Sequence, residues 1–342
     1  MNLFRNEREG RPRAFWRLLL QFTLYAVGTI LLGNLAFVAF ALLGRAPLGS
    51  EEIESLTASP AFPEVEVLVT GGVVSLVAAL VSMWIAGRYL DRRPFSEFGL
   101  HLDKEWWLDL GFGLFLGALL ITGIFFVELG AGWIRITGTF ETVGDGGPFF
   151  PAILVPAVLF LCVGTYEELI SRGYQLRNMA EGLNFPGVGP RGAIVLAWVI
   201  SSSLFGLLHL ANPGATAIST VNIAFAGLLL GIGYILTGRL AIPVWLHITW
   251  NFFQGNVFGF PVSGLGPVGA TFISTEQGGP PLWTGGAFGP EAGLLDIAAA
   301  VIGGLLILLW VRVRSGEATL QTSIAEPPSS GAERAKTEEV RP

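Results

Sequence analysis

Three short stretches of this chain carry side chains able to do chemistry. Glu167 and Glu168 precede Arg172, Phe205 lies four positions before His209, and His247 lies four before Asn251. On a helix Glu168 and Arg172 share a face, as do His247 and Asn251. Glu167 is turned about 100° from Glu168. One carboxylate can therefore pair with the arginine while the other faces elsewhere. A carboxylate and an imidazole can hold and deprotonate a water molecule. An imidazole and an amide can donate hydrogen bonds to a tetrahedral oxyanion. Each stretch also has a plainer explanation. The glutamates can form an interfacial charge cluster, His209 can bond a neighbouring carbonyl, and His247 with Asn251 can glue two helices together. The combination is stronger than its parts, because two of the three histidines fall in apolar stretches and join a carboxylate pair and an amide in one chain.

The elements that must position these groups are membrane helices. Of 342 residues, 52% are hydrophobic and 13% charged, about half the charged fraction of a soluble domain. Mean hydropathy is +0.61. Apolar runs near 18–43, 67–86, 107–127, 150–170, 193–211, 216–236, 243–260 and 293–313 are each long enough to cross a core of roughly 30 Å. The expected fold is all-α, a polytopic membrane helical bundle of about eight transmembrane helices. The first run is too long for a cleavable signal, and more follow it.

Charge alternates between the connections. Arg5, Arg8, Arg11, Arg13 and Arg17 precede the first span, and Glu51, Glu52, Glu54, Glu64 and Glu66 dominate the next connection. Basic and acidic connections then take turns as far as Arg312 and Arg314. This places both termini in the cytoplasm and points to the plasma membrane. The expected organisation is N-terminal helices and loops over 1–147 and a catalytic membrane domain over 148–256. A Gly/Pro-rich outer loop follows over 257–292, then the last span over 293–314 and a disordered polar tail over 315–342. The net charge of −6 gives no case for nucleic acid, and Cys162, the one cysteine, excludes an intrachain disulfide. Gly227, Gly231 and Gly233 are read as helix-packing positions without chemistry.

At the three motifs the sequence resembles the CPBP family, which contains the CAAX prenyl endoproteases and bacteriocin-processing or immunity-associated membrane proteins. That family's pattern is Glu-Glu-x-x-x-Arg, then Phe-x-x-x-His, then His-x-x-x-Asn or Asp, and all three occur here in order between about Phe150 and Asn256. Ser171 stands where family members usually carry an aromatic or apolar residue. The resemblance implies an intramembrane endopeptidase. Glu167 would activate water with His209, His247 and Asn251 would stabilise the oxyanion, and Glu168 with Arg172 would form a supporting ion pair. It implies a hydrophobic or lipidated peptide or protein substrate, met in membrane lipid. It leaves the cofactor open. Glu167, His209 and His247 are able to ligate a zinc ion with water in the fourth position, although the soluble zinc-protease pattern His-Glu-x-x-His is absent.

Two other functions compete. A catalytically silent member would act as an immunity or scaffolding protein, and a transporter would use the acid pair as a proton or cation site. The transporter predicts repeated halves, and the sequence shows none. The simple topology also leaves His209 a helix length from Glu167 and His247. A single site therefore requires the fourth helix to continue past Arg172, to about Met179. It also requires the turn 211–214 to be buried at membrane depth, where protein covers its backbone.

Overall fold

The structure, a computed structural model, describes residues 2–7, 9–43, 64–144 and 147–328. Arg8, Arg45, Glu51, Glu52, Glu54 and the tail beyond 328 lie outside the described residues. Nine helices carry the argument: α1 (Ala14–Leu42), α2 (Glu64–Ile85), α3 (Lys104–Gly130), α4 (Phe149–Glu168), α5 (Arg177–Leu183), α6 (Gly189–Leu208), α7 (Ala217–Thr237), α8 (Ala241–Phe252) and α9 (Leu294–Ser315). A widened helical turn over Leu169–Leu176 joins α4 to α5, so that one helical span runs Phe149–Leu183. The fourth helix thus continues past Arg172, as a single site requires.

Seven described helices are long and apolar enough to cross a membrane. The chain is an integral membrane protein, an all-α polytopic bundle consistent with about eight spans. The remaining apolar run, 243–260, is α8, which has 12 residues and widens into a turn ending at Val257. It is buried almost all round, as expected of a helix that is apolar on every side. Helices α3, α4 and α7 pack around it. Gly164 lets α4 approach: a Cβ there would lie 2.7 Å from Ile248 Cγ1 and 3.0 Å from its amide nitrogen. At Gly206 on α6 a Cβ would collide with the carbonyl of Thr220 on α7. Gly227, Gly231 and Gly233 likewise meet Ser202, Trp198 and Ile242, so they serve packing. On the outside, α1 presents Leu19, Ile30, Leu31 and Leu35 outward, which suits a lipid environment.

Depth follows from these approaches. Glu167 lies sixteen residues before the end of α5, about 24 Å of helix. Leu240, just ahead of α8, packs on Gly173. The α8 helix therefore starts well inside the level at which α5 ends, which brings His247 to the depth of Glu167. The turn 211–214 departs from expectation. Ala211, Pro213 and Gly214 are exposed and Asn212 is half-buried. Gly264 packs on the Pro213 carbonyl, and Asn212 lines the cavity. His209 reaches the site because α6 is long, and the turn beyond it need not be covered.

Two further regions differ from the sequence reading. The outer connections contain a sheet, with β1 (Ile134–Thr142) and β2 (Ala270–Gln277) antiparallel. Strand pairing between Ile134–Thr142 and Ala270–Gln277, far apart in the chain, satisfies their backbone groups, and nothing local signals it. The tail is ordered through 328. Gln321 N donates to the Ile235 carbonyl, and the carbonyls of Ser323, Ala325 and Glu326 accept from Arg177, Asn184 and Arg93. Arg11, in a short strand pair of Arg5–Asn6 with Arg11–Pro12, bonds Glu181 on α5, so the N-terminal segment and 321–326 share one end of the bundle.

Candidate active site

Helices α4, α6 and α8 bring the predicted groups to one cavity of about 550 Å³, lined by Glu167, His209, His247 and Asn251 among mostly apolar residues. Glu168 and Arg172 lie behind its wall, both fully buried. Arg172 donates from Nη1 to Glu168 Oε1 at 2.7 Å and from Nη2 to the Gly227 carbonyl at 2.8 Å. Its guanidinium stands 4.6 Å from the Phe205 ring centroid. The pair is thus held by α4, α6 and α7 together.

Glu168 does more than neutralise the arginine. His247 Nδ1 lies 3.0 Å from Glu168 Oε1. A carboxylate is an acceptor only, so Nδ1 carries the proton, and the ring's tautomer and plane are fixed. His247 Nε2 then points toward Glu167, 4.0 Å from its Oε2. That separation is too long for a direct hydrogen bond and short enough for one water to touch both atoms. Glu167 Oε2 has no hydrogen-bond partner among the described residues, and its Oε1 accepts from the Tyr166 hydroxyl at 3.3 Å. A buried carboxylate oxygen left open toward a cavity marks a place for a ligand or a water.

His209 is held by its own helix. Nδ1 donates to the Phe205 carbonyl at 2.8 Å, which leaves Nε2 as an acceptor in the neutral ring. The plain explanation for this histidine, a bond to a neighbouring carbonyl, and its availability in the cavity are both true. Phe205 is the spacer, its ring 4.7 Å from that of His209 and 6.2 Å from that of His247. Asn251, one turn after His247, faces the same cavity.

Among the described residues no three His, Cys, Asp or Glu side chains converge on a point able to hold an ion. The bonds at Nδ1 leave Nε2 of His209 and of His247 free, as a metal-binding histidine would have them, but with Glu167 the two rings do not close into such a group.

The sequence reading confined the site to 148–256, and the cavity extends beyond it. Tyr25 on α1, Gly71, Gly72 and Ser75 on α2, and Ser263 in the outer loop line it too. Tyr25 and Ser75 are polar residues inside apolar spans, a signal visible without the structure. Ser263 had no such signal.

Residues 149–253 match the family described as type II CAAX prenyl endopeptidase Rce1-like. The chain therefore carries an Rce1-like domain, one of a protease family, over α4 to α8. Over 291 residues it is 25% identical to the uncharacterized protein YyaK of Bacillus subtilis (strain 168), covering 83% of this chain and 90% of that one. No solved structure matches.

Proposed function

We propose that the Rce1-like domain is an intramembrane endopeptidase that hydrolyses a peptide bond of a hydrophobic or lipidated substrate with a glutamate-activated water. The observation that carries this reading is the open Oε2 of Glu167, 4.0 Å from His247 Nε2 inside a largely apolar cavity. A water between Glu167 and the histidines gives its proton to Glu167 as its oxygen attacks the carbonyl carbon. His209 Nε2 accepts the water's other hydrogen and orients it. The oxyanion that forms takes hydrogen bonds from Asn251 and from His247. His247 Nδ1 is committed to Glu168, so Nε2 donates when the ring is an imidazolium. When the C–N bond breaks, Glu167 returns its proton to the departing amine.

The apolar walls favour a substrate with an apolar segment beside the scissile bond. The arginine-rich end of the bundle, where the N-terminal segment and 321–326 both meet the α5 region, is assigned to the cytoplasm by the positive-inside rule, and the plasma membrane is the proposed location.

Purified protein in detergent, given a quenched hydrophobic peptide library, tests the reading. Cleavage that survives a chelator and disappears in Glu167→Ala supports it. Cleavage abolished by the chelator would replace it with a metal mechanism. A wild-type protein that cuts no peptide would favour a silent scaffolding or immunity role.

A further inference from the structure

Behind the main cavity lies a second chamber of about 50 Å³, room for a water or two. His209, His247 and Asn251 border both spaces, and so does Ser263. Ser263 has φ +50°, a left-handed conformation rare for residues other than glycine. Such strain persists only where the surroundings over-determine it, and it concentrates at functional sites.

What holds Ser263 is visible. Val262 and Leu265 exchange backbone hydrogen bonds of 2.8 and 2.9 Å across the turn, and Gly264 N donates to the Phe288 carbonyl at 2.8 Å. Ser263 N donates to Glu291 Oε2 at 2.8 Å. Glu291 is 5% exposed, and among the described residues no Arg or Lys lines its chamber. A carboxylate is costly to bury without a cationic partner, and this one is held by the Ser263 amide and the Gln254 side chain. Asp296 beside it is also buried, with Oδ2 lacking a hydrogen-bond partner among the described residues. The Ser263 hydroxyl, by contrast, lies 3.4 and 3.5 Å from the Glu291 oxygens, at the edge of hydrogen bonding. It can turn into the cavity without stranding Glu291, which keeps the amide.

We propose that Ser263 is a substrate-positioning residue, its hydroxyl hydrogen-bonding the substrate's peptide backbone beside the bond that Glu167 attacks, with Glu291 holding the turn that presents it. The inference rests on the hydrolytic reading of the cavity.

Three substitutions separate a polar contact from turn geometry. Ser263→Gly adopts a positive φ freely and lacks the hydroxyl, Ser263→Asn tolerates that φ and keeps a donor, and Ser263→Ala loses both advantages. The expected result is a KM raised about five- to tenfold in Ser263→Gly, the worth of one hydrogen bond, with kcat and Tm unchanged. Ser263→Asn should return KM to within about threefold of wild type on the same scale. Ser263→Ala should raise KM and lower Tm as well. A wild-type KM in Ser263→Gly would overturn the proposal. Anisotropy of a fluorescein-labelled hydrophobic peptide gives a parallel Kd. Wild type that binds the peptide without cutting it overturns the hydrolytic reading, and the Ser263→Gly Kd then decides whether the contact exists. Wild type that neither binds nor cuts overturns both.

Discussion

Two buried charge clusters in this molecule look alike in composition and differ in completeness. At one end of the bundle Glu181 receives Arg11 at 2.7 Å, Arg17 at 3.0 Å and Arg93 at 2.6 Å. Asp91 beside it takes Arg17 at 2.6 Å and the Tyr174 hydroxyl at 2.7 Å. Every carboxylate oxygen of these two acids is engaged. In the middle of the bundle, Glu167 Oε2 and Glu168 Oε2 have no hydrogen-bond partner among the described residues, and Glu167 faces a cavity. The first cluster ties together the N-terminal segment, the end of α2 and α5, so its charges are spent on architecture. The second keeps one acid in reserve beside an oriented imidazole. Buried charge alone does not mark a site; a buried charge with an unused oxygen and space in front of it does.

Substitutions in the two clusters should therefore fail in opposite ways. Glu181→Ala removes the buried carboxylate that Arg11, Arg17 and Arg93 share and should cost about 3–5 kcal/mol of stability, read as a lowered Tm in detergent. The folded fraction should keep its activity per molecule. Glu167→Gln should lower kcat about 1,000-fold, the general-base contribution, or about 4 kcal/mol, and leave Tm unchanged. A Glu167→Gln protein that unfolds early, or a Glu181→Ala protein that is stable and inactive, would break the comparison.

A smaller effect sharpens it. Burial pushes Glu291 from its ordinary 4.5 up to about 7, against the hydrogen bonds of Ser263 and Gln254. Asp296 on α9, His247 on α8 and His209 after α6 face the same chamber. An acid whose folded pKa is raised holds its proton more tightly in the fold. Its contribution is complete below pH 4.5 and falls as pH climbs through about 7. The loss is about 3 kcal/mol over that window. Thermal unfolding between pH 4.5 and 8 should show that decline in wild type, and Glu291→Gln should flatten it. The smallest effect concerns cavity shape. A Cβ at Gly71 meets nothing within 4 Å, so Gly71→Phe should fold normally and fill part of the cavity. KM for bulky peptides should rise about tenfold, in the range of a few methylenes in an apolar pocket. KM for small ones should stay constant.

The sequence by itself determined the solvent, the spans and the polar set. Long apolar runs leave a bilayer as the one medium in which this chain is comfortable. Glu167, His209, His247 and Asn251 stand out because ionisable and amide groups are costly there, and helical spacing already pairs Glu168 with Arg172. Tertiary structure decided the rest, because those matters depend on partners far apart in the chain. Only the close approach at Gly164 sets Glu168 against His247 Nδ1, turning a supporting ion pair into the group that orients the imidazole. Only the level at which α8 begins brings His247 to the depth of Glu167. Arg11 and Arg17 read in sequence as charges that set topology, and the fold draws them, with Arg93 and Arg177, around Glu181. Ser263 and Glu291, 28 residues apart in a Gly/Pro-rich stretch, meet because the 134–142 and 270–277 strands and the start of α9 fold that stretch over the site. No local period or propensity encodes such a meeting.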